Sequence, residues 1–163
     1  MSKKSIKKRI KSSGLISEMG QLGFTLGPSG MWFYRLRGEF IDAVFLQSLA
    51  GGKGLRIHVF SVIPDIISYP MRDFPHEFDS KVGNVSRKYL TRRGIAYGGH
   101  AWPTDTELEL EDSVSGITRL AKSDLLPWFN KIDTRRALYE SIHEDVKEDN
   151  GEYSDRLREM LLR

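Results

Sequence analysis

Residues 31–64 read MWFYRLRGEFIDAVFLQSLAGGKGLRIHVFSVIP, and this stretch decides the fold class. It holds three apolar segments, Met31–Leu36, Phe40–Leu49 and Leu55–Ile63, separated only by short breaks that contain glycine. Breaks of this length can join only antiparallel neighbours, because a parallel crossover needs a dozen or more residues. The stretch therefore predicts a β-meander and excludes a βαβ unit.

The segments outside the meander extend this prediction to an α+β fold. Asn84–Leu90 and Ile95–Trp102 predict two more strands, which gives an antiparallel sheet of about five strands. One N-terminal helix is expected before the sheet. After Pro103 the apolar residues recur at helical spacing, which predicts several C-terminal helices, the first of them capped by Asp112 or Ser113.

The chain of 163 residues is interpreted as a basic leader and one domain. Residues 1–11 contain six lysines and arginines and no acid, and Ile6 and Ile10 fall on a different side of a helical wheel from Leu15 and Met19. A single straight helix would then have two conflicting apolar faces. We therefore expect residues 1–11 to be a flexible leader and residues 12–163 to form a single α+β domain.

Composition limits the function classes. The chain has no cysteine, which excludes thiol catalysis, thiolate metal sites and disulfides, and which suits the reducing cytoplasm. No apolar run approaches the roughly 18 residues of a membrane span, so a membrane partner is not expected. The predicted location is cytoplasmic.

Charge is divided unevenly along the chain. Residues 1–103 hold 16 lysines and arginines against 7 acids, a net charge of +9, whereas residues 104–163 hold 9 against 15, a net charge of −6. Such halves can attract each other within one fold, pair between two chains, or present a basic face to an anionic partner. A homodimer is therefore among the alternatives.

Two glycine motifs resemble catalytic loops without the required context. In Gly51–Gly54 the chain continues as a strand, whereas a phosphate-binding loop must lead into a helix. Ser29 lies between Gly27-Pro28 and Gly30, but a nucleophile elbow needs a strand before it and a helix after it. Both motifs are predicted to be turns, and no catalytic residue is assigned.

The remaining chemistry is a group of metal-ligand types in one loop. Asp73, His76, Glu77 and Asp79 are possible ligands, although no histidine pair has the spacing typical of zinc sites. Glu107, Glu109 and Glu111 are interpreted as a solvated acidic face. No metal or cofactor is predicted, and a small-ligand protein or metal-dependent enzyme stays as the third alternative.

Arginines and large aromatic residues are the best candidates for binding. Arginine with a neighbouring aromatic ring is typical both of protein hot spots and of surfaces that bind nucleic acid. The candidate binding residues are Trp32, Tyr34, Arg35, Arg37, Arg56, Arg92, Arg93, Trp102 and Trp128.

Several short motifs occur in a recognisable order: Leu22-Gly23-Phe24, Phe33-Tyr34-Arg35, Leu46-Gln47-Ser48, Arg92-Arg93-Gly94, Trp102-Pro103 and Leu126-Pro127-Trp128-Phe129. This order, over roughly residues 10–142, resembles a family of small bacterial proteins classed as a domain of unknown function. Some members of that family resemble immunity proteins encoded beside toxins. The resemblance implies an α+β fold with an antiparallel sheet, and it implies no catalytic residues.

These observations favour a non-enzymatic cytoplasmic protein that recognises another protein. Neutralisation of a toxin by occlusion is the most concrete version, and only the family resemblance supports it. The second hypothesis is nucleic-acid binding through the basic leader and the sheet arginines.

Overall fold

The computed structural model describes residues 1–63, 88–96, 101–141, 158–159 and 161–163. In chain order its helices and strands are α1 (Lys3–Ser12), α2 (Leu15–Gln21), β1 (Thr25–Leu26), β2 (Trp32–Arg37), β3 (Phe40–Ser48), β4 (Gly54–Val62), β5 (Lys88–Thr91), β6 (Gly94–Ala96), β7 (Trp102–Pro103), α3 (Glu107–Leu120), α4 (Leu126–Asn130) and α5 (Arg135–Ser141). A 3₁₀ turn at Ala50–Gly52 joins β3 to β4, and a π-helical turn at Ala121–Leu125 joins α3 to α4.

All strand pairs are antiparallel, and β1 to β6 follow one another in chain order across the sheet. The short strand β7 pairs with the start of β4. The α+β class and the meander are thus confirmed. The described sheet has seven strands and not about five, because β1 adds an edge and the predicted segment Ile95–Trp102 contains two short strands, β6 and β7.

Glycines make the meander turns possible. Gly38 has φ +60°, and with Glu39 it forms the two-residue connection between the paired Arg37 and Phe40. Gly51 and Gly52 have φ +71° and +65° in the turn before β4. The Gly51–Gly54 segment is therefore the hairpin turn that its strand-like continuation predicted.

The larger core lies between one face of the sheet and four helices. Alternate residues of β2, β3 and β4 supply Phe33, Val44, Leu46, Leu55, Ile57 and Val59. The helical side supplies Ile6, Ile10, Leu15, Met19, Leu110, Val114, Ile117, Leu125 and Phe129. Helices α1, α2, α3 and α4 therefore form one layer against the sheet.

A second apolar cluster uses the opposite alternation. Ile41, Ala43, Phe60 and Val62 belong to it, together with Leu138 of α5 and Leu161. Strand β3 lies between β2 and β4 and contributes to both clusters. Its apolar residues on both faces, already visible in the sequence, thus reflect a central strand that is covered on each side.

The structure corrects the prediction that residues 1–11 are a flexible leader. Residues 3–12 form α1, capped by the Ser2 hydroxyl, which accepts a hydrogen bond from Ser5 N at 3.1 Å. Ile6 and Ile10 are fully buried in the larger core. The two apolar faces do not conflict, because the chain breaks at Ser13-Gly14 and α2 starts in a new direction at Leu15.

The start of α3 also differs from the prediction. The helix begins at Glu107 and not at Asp112 or Ser113. Thr106 Oγ1 accepts a hydrogen bond from Glu109 N at 3.2 Å, and Glu109 Oε2 accepts one from Thr106 N at 3.1 Å. This capping box outweighs the strand-like alternation of Glu107–Glu111, because it satisfies two backbone donors at once.

Candidate functional site

The nine candidate binding residues do not converge on one surface. Successive side chains of a strand point to opposite faces. Arg35 and Arg37 therefore share the helix-covered face with Phe33, whereas Trp32 and Tyr34 lie on the other face. The strand register places Arg56 on that second face too. Paired residues share a face, and Trp32 pairs with Phe45, which in turn pairs with His58. Arg56 is two residues from His58 along β4 and therefore has the same orientation.

Arg35 and Arg37 form ion pairs with a buried carboxylate. Asp42 is fully buried, and its Oδ2 accepts hydrogen bonds from Arg35 Nε and Arg37 Nε, both at 2.8 Å. Its Oδ1 accepts from Arg37 Nη2 at 3.0 Å and from Ser61 Oγ at 2.8 Å. The cluster joins three neighbouring strands, so these two arginines stabilise the sheet and are not available to a partner.

Arg35 also connects the sheet to the helical layer. Its Nη1 donates to the carbonyl oxygen of Leu22 at 3.1 Å, and its guanidinium lies 4.9 Å and 5.6 Å from the ring centres of Phe24 and Phe129. Its Nη2 is buried without a hydrogen-bond partner. The rings of Phe24 and Phe129 therefore add cation–π contacts to the ion pair that Arg35 forms with Asp42.

The two candidate tryptophans in the later part of the chain pack internally. Trp102 is buried, its Nε1 donates to the carbonyl oxygen of Leu90 at 2.9 Å, and its ring occupies the space beside Gly116. Trp128 is half-buried and stacks edge-on against Phe129 at 4.9 Å. Both residues therefore anchor helices to the sheet.

Arg56, Arg92 and Arg93 lie at one end of the sheet. Arg56 is at the start of β4, and its neighbour Ile57 pairs with Leu90, so the β5–β6 turn with Arg92 and Arg93 projects beyond the same end. Lys53 lies in the turn that precedes β4. We call this region, with Lys53, Arg56, Arg92 and Arg93, the basic end.

Helix α1 lies across the basic end. The Met1 ammonium donates to the carbonyl oxygen of Gly52 at 3.4 Å, beside the start of β4. At the other end of α1, Lys11 Cε is 3.9 Å from where a Cβ would be on Gly30, just before β2. The helix thus spans the starts of two strands that β3 separates, and it brings its own lysines to the basic end.

The cations of the basic end form no ion pair with the acids that the structure describes. Within the described part of the chain, Lys53, Arg56, Arg92 and Arg93 form no ion pair, and neither do the five lysines of α1. Lys53, Arg92 and Arg93 are exposed, and Arg56 is partly exposed. Uncompensated cations in one region create a positive potential that attracts anions.

Three arginines at the opposite end of the sheet are paired, although the exposed Arg136 next to one of them forms no ion pair among the described residues. Besides the Asp42 cluster, Arg135 Nη2 donates to Glu39 Oε2 at 2.7 Å beside the β2–β3 turn. The hydrogen bond and charge of Arg135 hold the pKa of the Glu39 carboxyl below its ordinary value of 4.5. The opposite end therefore contains three paired arginines, whereas none of the four cations of the basic end is paired within the described ranges.

Aromatic groups accompany the basic end on the sheet face opposite the helices. Trp32, Phe45, His58 and Tyr89 occupy one register row across β2 to β5. Phe45 is 38% exposed, which is high for a phenylalanine on a central strand. The Arg56 guanidinium lies 5.8 Å from the Tyr89 ring centre, and His58 Nε2 is 2.8 Å from Gln47 Oε1.

A cleft of about 410 Å³ lies between α1 and α3. Arg9 and Arg119 line it, and Arg9 also contacts Glu107 at 3.5 Å. Two of its hydroxyls, those of Ser13 and Thr118, donate to carbonyl oxygens of the preceding helical turn at 2.7 Å. These hydroxyls are thus held by the backbone and are not aligned with a general base.

The candidate metal ligands Asp73, His76, Glu77 and Asp79 lie outside the described residues. Within the described ranges, no group of three or more histidine, aspartate or glutamate side chains is placed to hold a metal ion. In the same ranges no helix has both the length and the apolar character needed to cross a membrane.

The sequence analysis did not identify the buried charge of Asp42, the exposed ring of Phe45, or the fact that α1 is an ordered helix. Asp42 lies directly opposite Arg35 in the strand register, and an acid in the middle of a predicted central strand was the signal that the sequence offered. No family model, no curated protein and no solved structure matches this chain. The resemblance to the bacterial family stays a prediction.

Proposed function

We propose that this protein is a non-enzymatic binding module that recognises another protein through an acidic surface of that partner. The observation that supports this proposal is the group of cations at the basic end: among the residues that the structure describes, Lys53, Arg56, Arg92 and Arg93 form no ion pair, whereas Arg35 and Arg37 are paired with Asp42. Complementary charge speeds the encounter of two proteins and disfavours partners of the wrong sign.

The composition of the sheet face near the basic end supports a protein partner. Arg56, which is partly exposed, contacts the ring of Tyr89, and Phe45 is exposed one register row away. Arginine and aromatic residues carry much of the binding energy at protein interfaces. We assign Arg56 and Phe45 as anchors, with Arg93 as a peripheral charge.

The proposed mechanism is occlusion. A module of this kind covers a functional surface of its partner and needs no bond-making chemistry. Neutralisation of a toxin in the cytoplasm is the version that the family resemblance implies. In that version the partner's active surface is acidic, since the unpaired cations would face it.

Capture from source-cell lysate tests the proposal. The wild-type protein should retain a stoichiometric partner after nuclease treatment. The double variant Arg56→Glu/Arg93→Glu should lose it, because both changes place negative charge against an acidic surface. The control Lys131→Glu/Arg136→Glu makes the same change in net charge at exposed positions away from the basic end, and it should retain the partner.

Three outcomes contradict the proposal. A bound fraction that vanishes with nuclease would replace the protein partner by nucleic acid. Equal loss in both variants would show that only net charge matters. Full retention by Arg56→Glu/Arg93→Glu would remove the basic end as the docking surface.

A further inference from the structure

We propose that the lysine face of α1 binds the phosphate backbone of double-stranded nucleic acid without regard to base sequence. This face consists of Lys3, Lys4, Lys7, Lys8 and Lys11. It goes beyond the proposed protein recognition, because it uses a different element and different side chains from Arg56 and Phe45.

The lysines of α1 have the placement that a phosphate-binding helix needs. Lys4, Lys8 and Lys11 are spaced i, i+4, i+7 and therefore share one face of the helix, and all three are exposed. At 1.5 Å of rise per residue, they are separated by about 6 Å and about 4.5 Å along the axis. A duplex offers a phosphate charge for every ~1.7 Å of its axis, so neighbouring lysines can reach different phosphates.

The helix is held in place before any partner binds. Ile6 and Ile10 are fully buried in the larger core, and Ser2 caps the first turn. The Met1 ammonium is hydrogen-bonded to the Gly52 carbonyl oxygen. A fixed helix loses little conformational entropy on binding, whereas a flexible leader would have to be ordered first.

The lysines of this face form no ion pair with any acid in the ranges that the structure describes. Helix α1 contains no acidic residue, and none of its lysines forms an ion pair in the described part of the chain. Arg9, the remaining cation of α1, contacts Glu107 of α3 instead. The ammonium groups are therefore available to displace the counterions of a nucleic acid.

Other anionic partners fit this face less well. A helix that lies on a membrane inserts apolar side chains, but both isoleucines of α1 face the protein core. A protein partner needs aromatic or arginine anchors in a desolvated centre, and the exposed positions of α1 are lysines and serines. A phosphate backbone needs only cations at suitable spacing.

Salt-dependent binding of a 20-base-pair DNA duplex of arbitrary sequence tests the proposal. The measurement is fluorescence anisotropy between 50 and 300 mM KCl. If each of the five lysines neutralises one phosphate, log K falls against log salt with a slope of about −4.5, because each contact contributes about −0.9. The dissociation constant near 0.1 M salt should be on the order of 10⁻⁵ M.

The triple variant Lys4→Gln/Lys8→Gln/Lys11→Gln should reduce the slope to about −1.8, since two lysines remain. Glutamine keeps a high helix propensity, so α1 should stay folded, and circular dichroism checks this. The matched control Lys122→Gln/Lys131→Gln/Arg136→Gln removes three exposed charges outside α1 and outside the basic end, and it should keep a slope within about one of the wild type.

Several results would overturn this inference. They are no duplex binding by the wild type at 50 mM KCl, an unchanged slope in the α1 variant, or a larger loss of slope in the control than in the α1 variant. Tighter binding to vesicles with 30% phosphatidylserine, or to polyglutamate, would assign the face to another partner. Nuclease-resistant capture of a protein is a separate measurement, so either function can fail while the other holds.

Discussion

The substitution Asp42→Asn tests the buried charge cluster most directly. Asparagine has almost the same shape as aspartate, so the change removes the charge and leaves the packing in place. In the wild type the Asp42 carboxylate is fully buried and accepts four hydrogen bonds, three of them from Arg35 and Arg37. The side chain of Arg35 is only 12% exposed, and that of Arg37 is 25% exposed.

The expected cost follows from the charge that the substitution leaves behind. Without the carboxylate, two guanidinium groups face each other in a poorly solvated place, and an amide must donate towards cations that also donate. Removing one partner of a buried ion pair costs about 3–5 kcal/mol. Each kcal/mol lowers the melting temperature of a chain of this size by roughly 2–4 °C. We therefore expect a decrease in melting temperature of roughly 6–20 °C.

Urea unfolding and a thermal melt measure the effect. The control Glu39→Gln removes one partner of an exposed ion pair at the same end of the sheet, and it should cost no more than about 1 kcal/mol. The double variant Asp42→Asn/Arg37→Met should recover part of the loss, because it removes one of the uncompensated cations. A cost below about 1 kcal/mol for Asp42→Asn would refute the reasoning, since the arginines would then be solvated well enough not to need the carboxylate.

Two further predictions concern other parts of the fold. Because Arg135 lowers the pKa of Glu39, the Glu39–Arg135 pair should contribute its full share of the unfolding free energy above pH 4.5 and lose that share as the pH falls through the lowered pKa. The difference in unfolding free energy between wild type and Glu39→Gln should therefore shrink from pH 6 to pH 3. A difference that grows over this range would contradict the assignment. Thr106→Ala removes the capping box of α3 and should cost about 1 kcal/mol in urea unfolding. Asp112→Ala, at an exposed position inside the helix, should cost clearly less than Thr106→Ala. A larger cost for Asp112→Ala would indicate that α3 begins near Asp112, as the sequence predicted.

The charge asymmetry of the sequence takes a specific form in three dimensions. The basic N-terminal half does not simply pair with the acidic C-terminal half, because α1 and α3 are neighbours and yet share one described ion pair, Arg9–Glu107. Arg35 and Arg37 are compensated by Asp42 from the same half of the sequence. Among the described residues, the cations without an ion pair therefore include the lysines of α1 and the cations of the basic end, and also Arg119, Lys122, Lys131 and Arg136.

Much of the fold could be predicted because its signals are local. The glycine-bearing breaks at Gly38 and Gly51–Gly54 fix antiparallel neighbours, and the structure has these turns at the predicted places. The start of α5 is also set locally, since Thr134 Oγ1 accepts a hydrogen bond from Ala137 N at 3.1 Å, whereas α2 begins after Gly14 without a side-chain cap. Turns and caps depend on residues within four positions of each other.

The candidate site could be predicted only in part. Arg56, Arg92 and Arg93 do lie at one end of the sheet, but Arg35 and Arg37 were grouped with them although they face the helices. Residue type identifies a cation, whereas its availability depends on which acid lies beside it. For Arg37 that acid is five residues away, across a hairpin, and its position depends on the strand register.

The sequence by itself determined the fold class, the antiparallel order of the central strands, and the net positive charge of the N-terminal half. Only the tertiary structure decided that α1 is an ordered helix, that Trp102 is internal, and which cations stay unpaired. The physical reason is the range of the interactions. Backbone turns and periodicity are set by neighbouring residues, while burial and charge pairing are set by elements far apart in the chain that meet only in the folded protein.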